Sequence, residues 1–121
     1  MAVSDTYLAS RSPATLVRRG VFHVALSGDV DLTASRQLTL IAEDFLRSDQ
    51  ASASVDLQRI TSIDSAGLLL LARLHRTAMV RGGKVTLLQP SSVCLRALES
   101  VAFDQIFEIQ PQGVKVSALE R

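Results

Sequence analysis

Two segments of the chain carry hydrophobic residues at every second position, the period that predicts a β-strand. One covers residues 21–26, and a shorter extended segment at 14–19 precedes it across a turn at Gly20. In the other, residues 51–57, hydrophobic and polar residues alternate strictly. These patterns predict a hairpin near the N-terminus and, later in the chain, a strand with one buried face. The predicted buried face of residues 21–26 consists of Phe22, Val24 and Leu26.

Spacings of three and four between hydrophobic residues predict helices in two further segments. The first follows residues 27–31, which are predicted to break the preceding strand, and Thr33 is its predicted N-cap. The second is predicted from Ser65 to Arg81, where two glycines at 82–83 stop it. The predicted buried stripes are Ala34, Leu38, Ile41 and Phe45 in the first helix, and Leu68, Leu71, Ala72, His75 and Met79 in the second.

The rest of the chain continues the alternation of strands and helices. A strand is predicted at 84–88, a helix opened by Pro90 and Ser91 runs to 101, a last strand covers 106–109, and a weak final helix covers 114–119. Helices between successive strands act as crossovers that make neighbouring strands parallel. We therefore predict an α/β fold, a mixed sheet of four to five strands with about four helices packed mainly on one side.

Composition and charge argue against several classes of function. The 13 basic and 12 acidic residues leave a formal charge of +1, too little to hold a phosphate backbone, and aromatic residues make up only 4%. The longest apolar stretch, residues 66–72, is far shorter than the ~20 residues that span a bilayer, and the N-terminus lacks the features of a signal peptide. The single cysteine, Cys94, is predicted to be a buried core residue. A cytoplasmic protein without nucleic-acid or membrane partners is expected.

The most informative part of the sequence is the junction between the strand at 51–57 and the following helix, which reads Ile60-Thr61-Ser62-Ile63-Asp64-Ser65-Ala66-Gly67-Leu68. At a helix N-terminus, free N–H groups and the positive end of the dipole favour an oxygen acceptor and, more strongly, a phosphate. Gly67 lacks a Cβ, which would let a second protein approach the backbone closely. The alternative is that Asp64 and Ser65 are simply capping residues.

This junction resembles the signature of a known family. Ile63-Asp64-Ser65-Ala66-Gly67-Leu68 looks like the Asp-Ser-(Ser/Thr)-Gly-Leu motif of STAS domains in bacterial anti-sigma factor antagonists. Leu26-Ser27-Gly28-Asp29-Val30-Asp31, followed by Thr33-Ala34, resembles the family's Leu-x-Gly-Glu-Leu-Asp segment and helix start. Gly82-Gly83-Lys84-Val85 and residues 98–109 are similar to its Gly-Gly turn, strand, helix and closing strand. The resemblance covers roughly residues 15–119, so we expect a flexible N-terminal segment at 1–13 and a STAS domain at 14–121.

In that family the first Ser after the Asp is phosphorylated by a partner kinase that is also the anti-sigma factor, and here that residue is Ser65. The resemblance implies an anti-sigma factor antagonist, not an enzyme, which releases a sigma factor and is switched off by phosphorylation. It implies a serine kinase and a serine phosphatase as partners, neither cofactor nor metal, and a monomer or weak dimer. Two residues depart from the family pattern, Ala66 in place of Ser or Thr and Asp29 in place of Glu. The implied partner-binding residues are Asp29, Asp31, Asp64, Ser65, Ala66, Gly67 and Leu68.

Two alternatives remain open. One is a magnesium-dependent, receiver-like phospho-acceptor, although no lysine ends a late strand as such a site requires. Its carboxylates would come from four residues near predicted strand ends, Asp29, Asp31, Asp56 and Asp64. The other is a STAS module that acts as a scaffold or binds a ligand without being phosphorylated. A zinc site is not indicated, because neither His23 nor His75 has a Cys or His at ligand spacing.

Overall fold

The computed structural model describes residues 20–111, together with the backbone of residues 2–3 and 17–18. The strands are β1 (Ala2–Val3), β2 (Val17–Arg18), β3 (Val21–Val30), β4 (Ser52–Ile63), β5 (Val85–Leu88) and β6 (Glu108–Gln110). The α-helices in this part of the chain are α1 (Ser35–Arg47), α2 (Ser65–Val80) and α3 (Ser92–Ser100), and 3₁₀ turns form at Leu32–Ala34 and Phe103–Gln105. Each of these described helices is too short or too polar to traverse a bilayer.

The strands β3, β4, β5 and β6 lie in that order and form a four-stranded parallel sheet. The short strands β1 and β2 both pair antiparallel with β3, and the β2–β3 pairing confirms the hairpin around Gly20. The α/β class is therefore confirmed. The predicted counts of four to five strands and about four helices are slightly off, because the described residues hold four parallel strands with two short antiparallel additions, and three α-helices. The helix predicted at 114–119 lies outside the described residues, and β1 lies within the segment 1–13.

The prediction that residues 27–31 break the strand is wrong, because β3 continues to Val30. Gly28, whose φ is +78°, lies within this strand because the pairing around it is irregular. The register with β4 shifts between Ala25 and Ser27 and again after Gly28. Such bulges bend a strand without ending it. Val30 is fully buried and fixes the end of the strand in the core. The extension of β3 brings residues 29 and 30 level with the end of β4.

The core lies between one face of the parallel sheet and the helices. Pairing places Phe22, Ala53 and Val85 side by side on this face, and all three are buried. The helices contribute buried residues to the same cluster, including Cys94 in α3. The opposite face carries polar residues, among them His23, whose Nδ1 lies 2.6 Å from Ser54 Oγ. The buried face predicted for residues 21–26 and the predicted burial of Cys94 are both confirmed.

The predicted buried stripe of α1 is confirmed, whereas that of α2 is wrong in part. Ala34, Leu38, Ile41 and Phe45 are all buried. In α2 the buried residues are Gly67, Leu70, Leu71, Leu74 and Ala78, and Met79 is 60% exposed. The buried face differs from the predicted one because the four leucines at 68–71 allow more than one face of α2 to be buried. The close packing of Gly67 against Val30 and Ile63 determines which face is buried.

The end of α2 is set by its two glycines, as predicted. Gly82 has a φ of +75°, and the N–H of Gly83 donates to the carbonyl of Ala78 at 2.8 Å, the pattern of a Schellman cap. Gly83 also approaches the neighbouring chain closely, since a Cβ there would lie 2.0 Å from the carbonyl oxygen of Ala51. Arg81 extends its guanidinium to the C-terminal end of α1, where it donates to the carbonyls of Phe45 and Leu46.

Candidate functional site

The candidate residues follow the carboxyl ends of two neighbouring parallel strands. Pairing places Val30 of β3 beside Ile63 of β4, and the N–H of Asp64 donates to the carbonyl of Val30 at 3.1 Å. The 3₁₀ turn after β3 and the first turn of α2 therefore meet at one edge of the sheet. Binding sites of α/β proteins commonly lie at the carboxyl ends of their strands.

Asp64 joins the two segments that meet there. Its Oδ1 accepts a hydrogen bond from the N–H of Ala66 at 2.8 Å, which caps the N-terminus of α2. Its Oδ2 accepts from the N–H of Leu32 at 3.0 Å, in the 3₁₀ turn after β3. One carboxylate thus satisfies a free N–H in each segment and fixes their relative position.

Ser65 is the first residue of α2, as predicted, and it is exposed. Because the Asp64 side chain caps the helix, the Ser65 hydroxyl is not needed for that purpose. It makes no hydrogen bond with any residue of the described part of the chain. The interpretation of both residues as caps therefore holds for Asp64 alone, and the structure leaves the hydroxyl of Ser65 accessible at the positive end of a helix.

Asp31 organises the 3₁₀ turn beside Ser65. Its Oδ1 accepts from the N–H of Thr33 at 3.0 Å and from the Thr33 hydroxyl at 2.5 Å. The expectation that Thr33 caps the helix is wrong, because the N-cap of α1 is Ala34, which makes no side-chain cap hydrogen bond. Asp31 caps the preceding 3₁₀ turn instead, and Thr33 is the donor. The 3₁₀ turn includes Thr33, so α1 begins only at Ser35. Asp31 therefore fixes the turn internally, and Asp64 holds the turn against α2.

Asp29 lies on the last part of β3 and interacts with β4. Its Oδ1 accepts from the hydroxyls of Thr61 (2.6 Å) and Ser62 (2.9 Å). These hydrogen bonds, the one from Thr61 foremost, lower the pKa of the Asp29 carboxyl. Asp29 is therefore an exposed, ionised carboxylate that links the ends of the two strands.

The other motif residues face inward to different extents. Ala66 and Leu68 are half-buried against the core. Gly67 is buried, and a Cβ there would lie 2.6 Å from Ile63 Cγ1 and 2.8 Å from Val30 Cγ1. The expectation that Gly67 makes room for a second protein is therefore corrected: its missing Cβ makes room for the ends of β3 and β4.

The four carboxylates of the magnesium alternative do not converge. Each accepts hydrogen bonds from its own set of donors, as Asp56 does from the N–H of Gln58 at 2.9 Å. Across residues 20–111, no three acidic, His or Cys side chains are grouped as metal ligands would be. The structure therefore gives no support to a receiver-like site.

Two exposed leucines at this edge were not identified from the sequence. Leu32 is 72% exposed at the start of the 3₁₀ turn, and Leu69 is 55% exposed on the first turns of α2. Both line one groove with Ser65. A signal for each is present in the sequence: Leu32 precedes the helical period of α1, and a helix cannot bury all of four consecutive leucines.

Comparison with known families gives the class of protein. The family model described as "Mlab, STAS domain" matches residues 17–111. This match covers most of the chain, and the chain belongs to the STAS domain family. None of the curated protein sequences matches it significantly.

Solved structures share this fold. A Thermotoga maritima protein assigned as an anti-sigma factor antagonist superposes with a TM-score of 0.74 at 19% identity, covering 86% of this chain and 88% of that chain. The anti-sigma factor antagonist SpoIIAA in its unphosphorylated form gives 0.70 at 20% identity, covering 87% and 90%. An anti-sigma factor antagonist of Mycobacterium paratuberculosis gives 0.70 at 19% identity, covering 93% and 85%. At these identities the similarity establishes the fold, which is of the STAS type as predicted.

Proposed function

We propose that the protein is an anti-sigma factor antagonist: it binds an anti-sigma factor that is also a serine kinase, and phosphorylation of Ser65 switches it off. The observation that carries this proposal is the exposed Ser65 hydroxyl, which has no hydrogen-bond partner among the described residues and follows the capping Asp64. Structures of the same fold include antagonists and a phosphorylated form of Bacillus SpoIIAA. The protein would act in the cytoplasm as a regulator rather than an enzyme, with a serine phosphatase restoring its active form.

The mechanism follows from where the phosphate would lie. Phosphorylation adds roughly −1.5 to −2 charges at Ser65, directly beside the Asp64 carboxylate. In the free domain the helix N-terminus opposes this repulsion by about 0.3 to 1 kcal/mol, so the fold should change little. In a closed interface, an unpaired dianion that loses its water costs on the order of several kcal/mol. Binding to the anti-sigma factor should therefore weaken by about a hundredfold or more.

The site assignment is tested with purified protein, ATP and the candidate anti-sigma factor kinases, by intact mass spectrometry. The wild type should gain one phosphoryl group and Ser65→Ala none. Ser92→Ala is the matched control, because Ser92 is also an exposed first residue of a helix whose cap is the preceding residue, Ser91. Full phosphorylation of Ser65→Ala would show that the assignment is wrong.

A second candidate is a STAS module that binds its partner without phosphoregulation. The observation that favours it is Ala66, at a position where the motif of the antagonists commonly has a hydroxyl. This candidate predicts no phosphoryl transfer from any such kinase, and equal partner binding by the wild type and Ser65→Asp.

A further inference from the structure

A groove runs between α1 and α2, beginning beside Ser65. Its near part has a volume of about 460 Å³ and is lined by Leu32, Ser65 and Leu69 among others. Its far part has a volume of about 330 Å³ and includes Leu46 and Arg76. Thr39 and Arg73 line both parts, so the two form one continuous surface feature, named here the α1–α2 groove.

The α1–α2 groove carries large apolar side chains that the fold itself does not bury. Leu32, Leu69 and Leu46 are 72%, 55% and 57% exposed. The backbone of Leu32 is held in place, because the carboxylates of Asp31 and Asp64 accept hydrogen bonds from the N–H groups of its turn. An apolar anchor whose backbone is already ordered loses less entropy when a partner covers it. Such anchors are typical of the central residues of binding sites.

The charges along the groove favour an acidic occupant. Arg73 and Arg76 lie on its α2 wall, are exposed, and form no ion pair with any residue between 20 and 111. The α1 wall contributes a single acidic residue, Glu43, to the far part. A partner with carboxylates opposite the two arginines would therefore meet a complementary surface.

We propose that the α1–α2 groove binds an amphipathic α-helix of the partner protein, with apolar residues against Leu32, Leu69 and Leu46 and acidic residues facing Arg73 and Arg76. From Ser65 to Thr77 the groove follows α2 for about 18 Å, which matches a helix of about three turns. The identification of that partner as the anti-sigma factor rests on the proposed function. The preference for an acidic amphipathic helix does not.

This arrangement also explains how one phosphate could act on the whole interface. Ser65 lines the near end of the groove, so a phosphate there would face the incoming acidic helix. Like charges brought together in this way oppose binding. Phosphorylation of Ser65 would then weaken the binding of an acidic helix and not that of a basic helix.

The test uses two stapled helical peptides of about 15 residues with leucines at positions i, i+4, i+7 and i+11, one flanked by glutamates and the other by lysines. Calorimetry gives their affinities, and amide shifts of labelled protein locate the site. The glutamate peptide should bind the groove about tenfold more tightly than the lysine peptide. Arg73→Glu/Arg76→Glu should reverse that preference, and Ser65→Glu should weaken the glutamate peptide only.

Matched controls lie outside the groove. Val80→Ala removes another exposed apolar residue of α2, one that is 82% exposed, and Arg96→Glu reverses an exposed charge on α3; neither should alter peptide binding. Leu69→Ala should weaken it about fivefold or more. Equal affinities for the two peptides, or shifts confined to another surface, would overturn the proposal. So would self-association that Leu69→Ala abolishes, or binding to phosphatidylglycerol vesicles in place of the peptide. None of these results would affect the phosphorylation assay at Ser65.

Discussion

Replacing Gly67 with alanine should destabilise the protein, although alanine is the better helix former. Gly67 is buried near the start of α2, and a Cβ there would lie 2.6 Å from Ile63 Cγ1 and 2.8 Å from Val30 Cγ1. Ordinary carbon–carbon contacts are about 3.5 to 4.0 Å. Either α2 or the ends of β3 and β4 must therefore move to admit one methyl group.

Two energies of opposite sign determine the outcome. Alanine is favoured over glycine within a helix by about 0.8 to 1 kcal/mol, and by less in the first turn. Overpacking of a closed core typically costs about 1 to 3 kcal/mol. Val30 is 0% exposed and cannot withdraw, whereas Ile63 is only partly buried and can yield to some extent. We therefore expect the free energy of unfolding to fall by about 1 to 2 kcal/mol.

Urea unfolding measures this change, and a double-mutant cycle identifies its cause. In an Ile63→Ala background, which removes one of the two contacts, Gly67→Ala should cost at least about 0.5 kcal/mol less. Comparing Arg73→Gly with Arg73→Ala, at an exposed position of the same helix, gives the propensity difference alone. A Gly67→Ala protein as stable as the wild type, with no coupling to Ile63, would refute the reasoning.

Other contacts give further expectations. Arg81→Ala should lower the free energy of unfolding, measured in urea, by about 2 to 3 kcal/mol. The guanidinium of Arg81 donates to the carbonyls of Phe45 and Gln50 and lies 5.5 Å from the Phe45 ring centroid. Arg81→Lys should recover only part of the lost stability. Asp64→Ala should cost about 1 to 2 kcal/mol in the same assay through the lost cap and the freed N–H of the 3₁₀ turn, and Asp64→Asn clearly less. Burial raises the pKa of the Cys94 thiol to about 11 from 9.0, so a disulfide reagent at pH 8 should modify native protein about a hundredfold more slowly than unfolded protein. Because this pKa is higher in the folded state, the thiol's contribution to stability is complete below about pH 9 and is lost as the pH rises to 11, a decline that Cys94→Ala should lack.

Much of the fold could be predicted because its periodicities are local. The stripe of α1 and the face formed by Phe22, Val24 and Leu26 have only one arrangement that buries their hydrophobic residues, and both are buried. The N-terminal position of Ser65 also follows from a local signal, the change of period between β4 and α2. Local patterns suffice where one arrangement clearly buries more apolar surface than the others.

The features that could not be predicted depend on contacts between distant residues. The leucines of α2 allow several buried faces, and the contact of Gly67 with Val30 and Ile63 determines which one forms. Gly28 and its neighbours have the composition of a turn, yet pairing with β4 keeps them in a strand. Likewise, Leu32 becomes part of the candidate site only because Asp64, 32 residues away, accepts its N–H.

We propose that phosphorylation of Ser65 acts at an interface and not on the fold. It is tested most directly by calorimetric titration of the anti-sigma factor kinase into unmodified and phospho-Ser65 protein, alongside thermal melts of both forms. We expect phosphorylation to weaken binding by about a hundredfold or more while the melting temperature stays the same. Equal affinities of the two forms, or a large change in the melting temperature on phosphorylation, would contradict the claim.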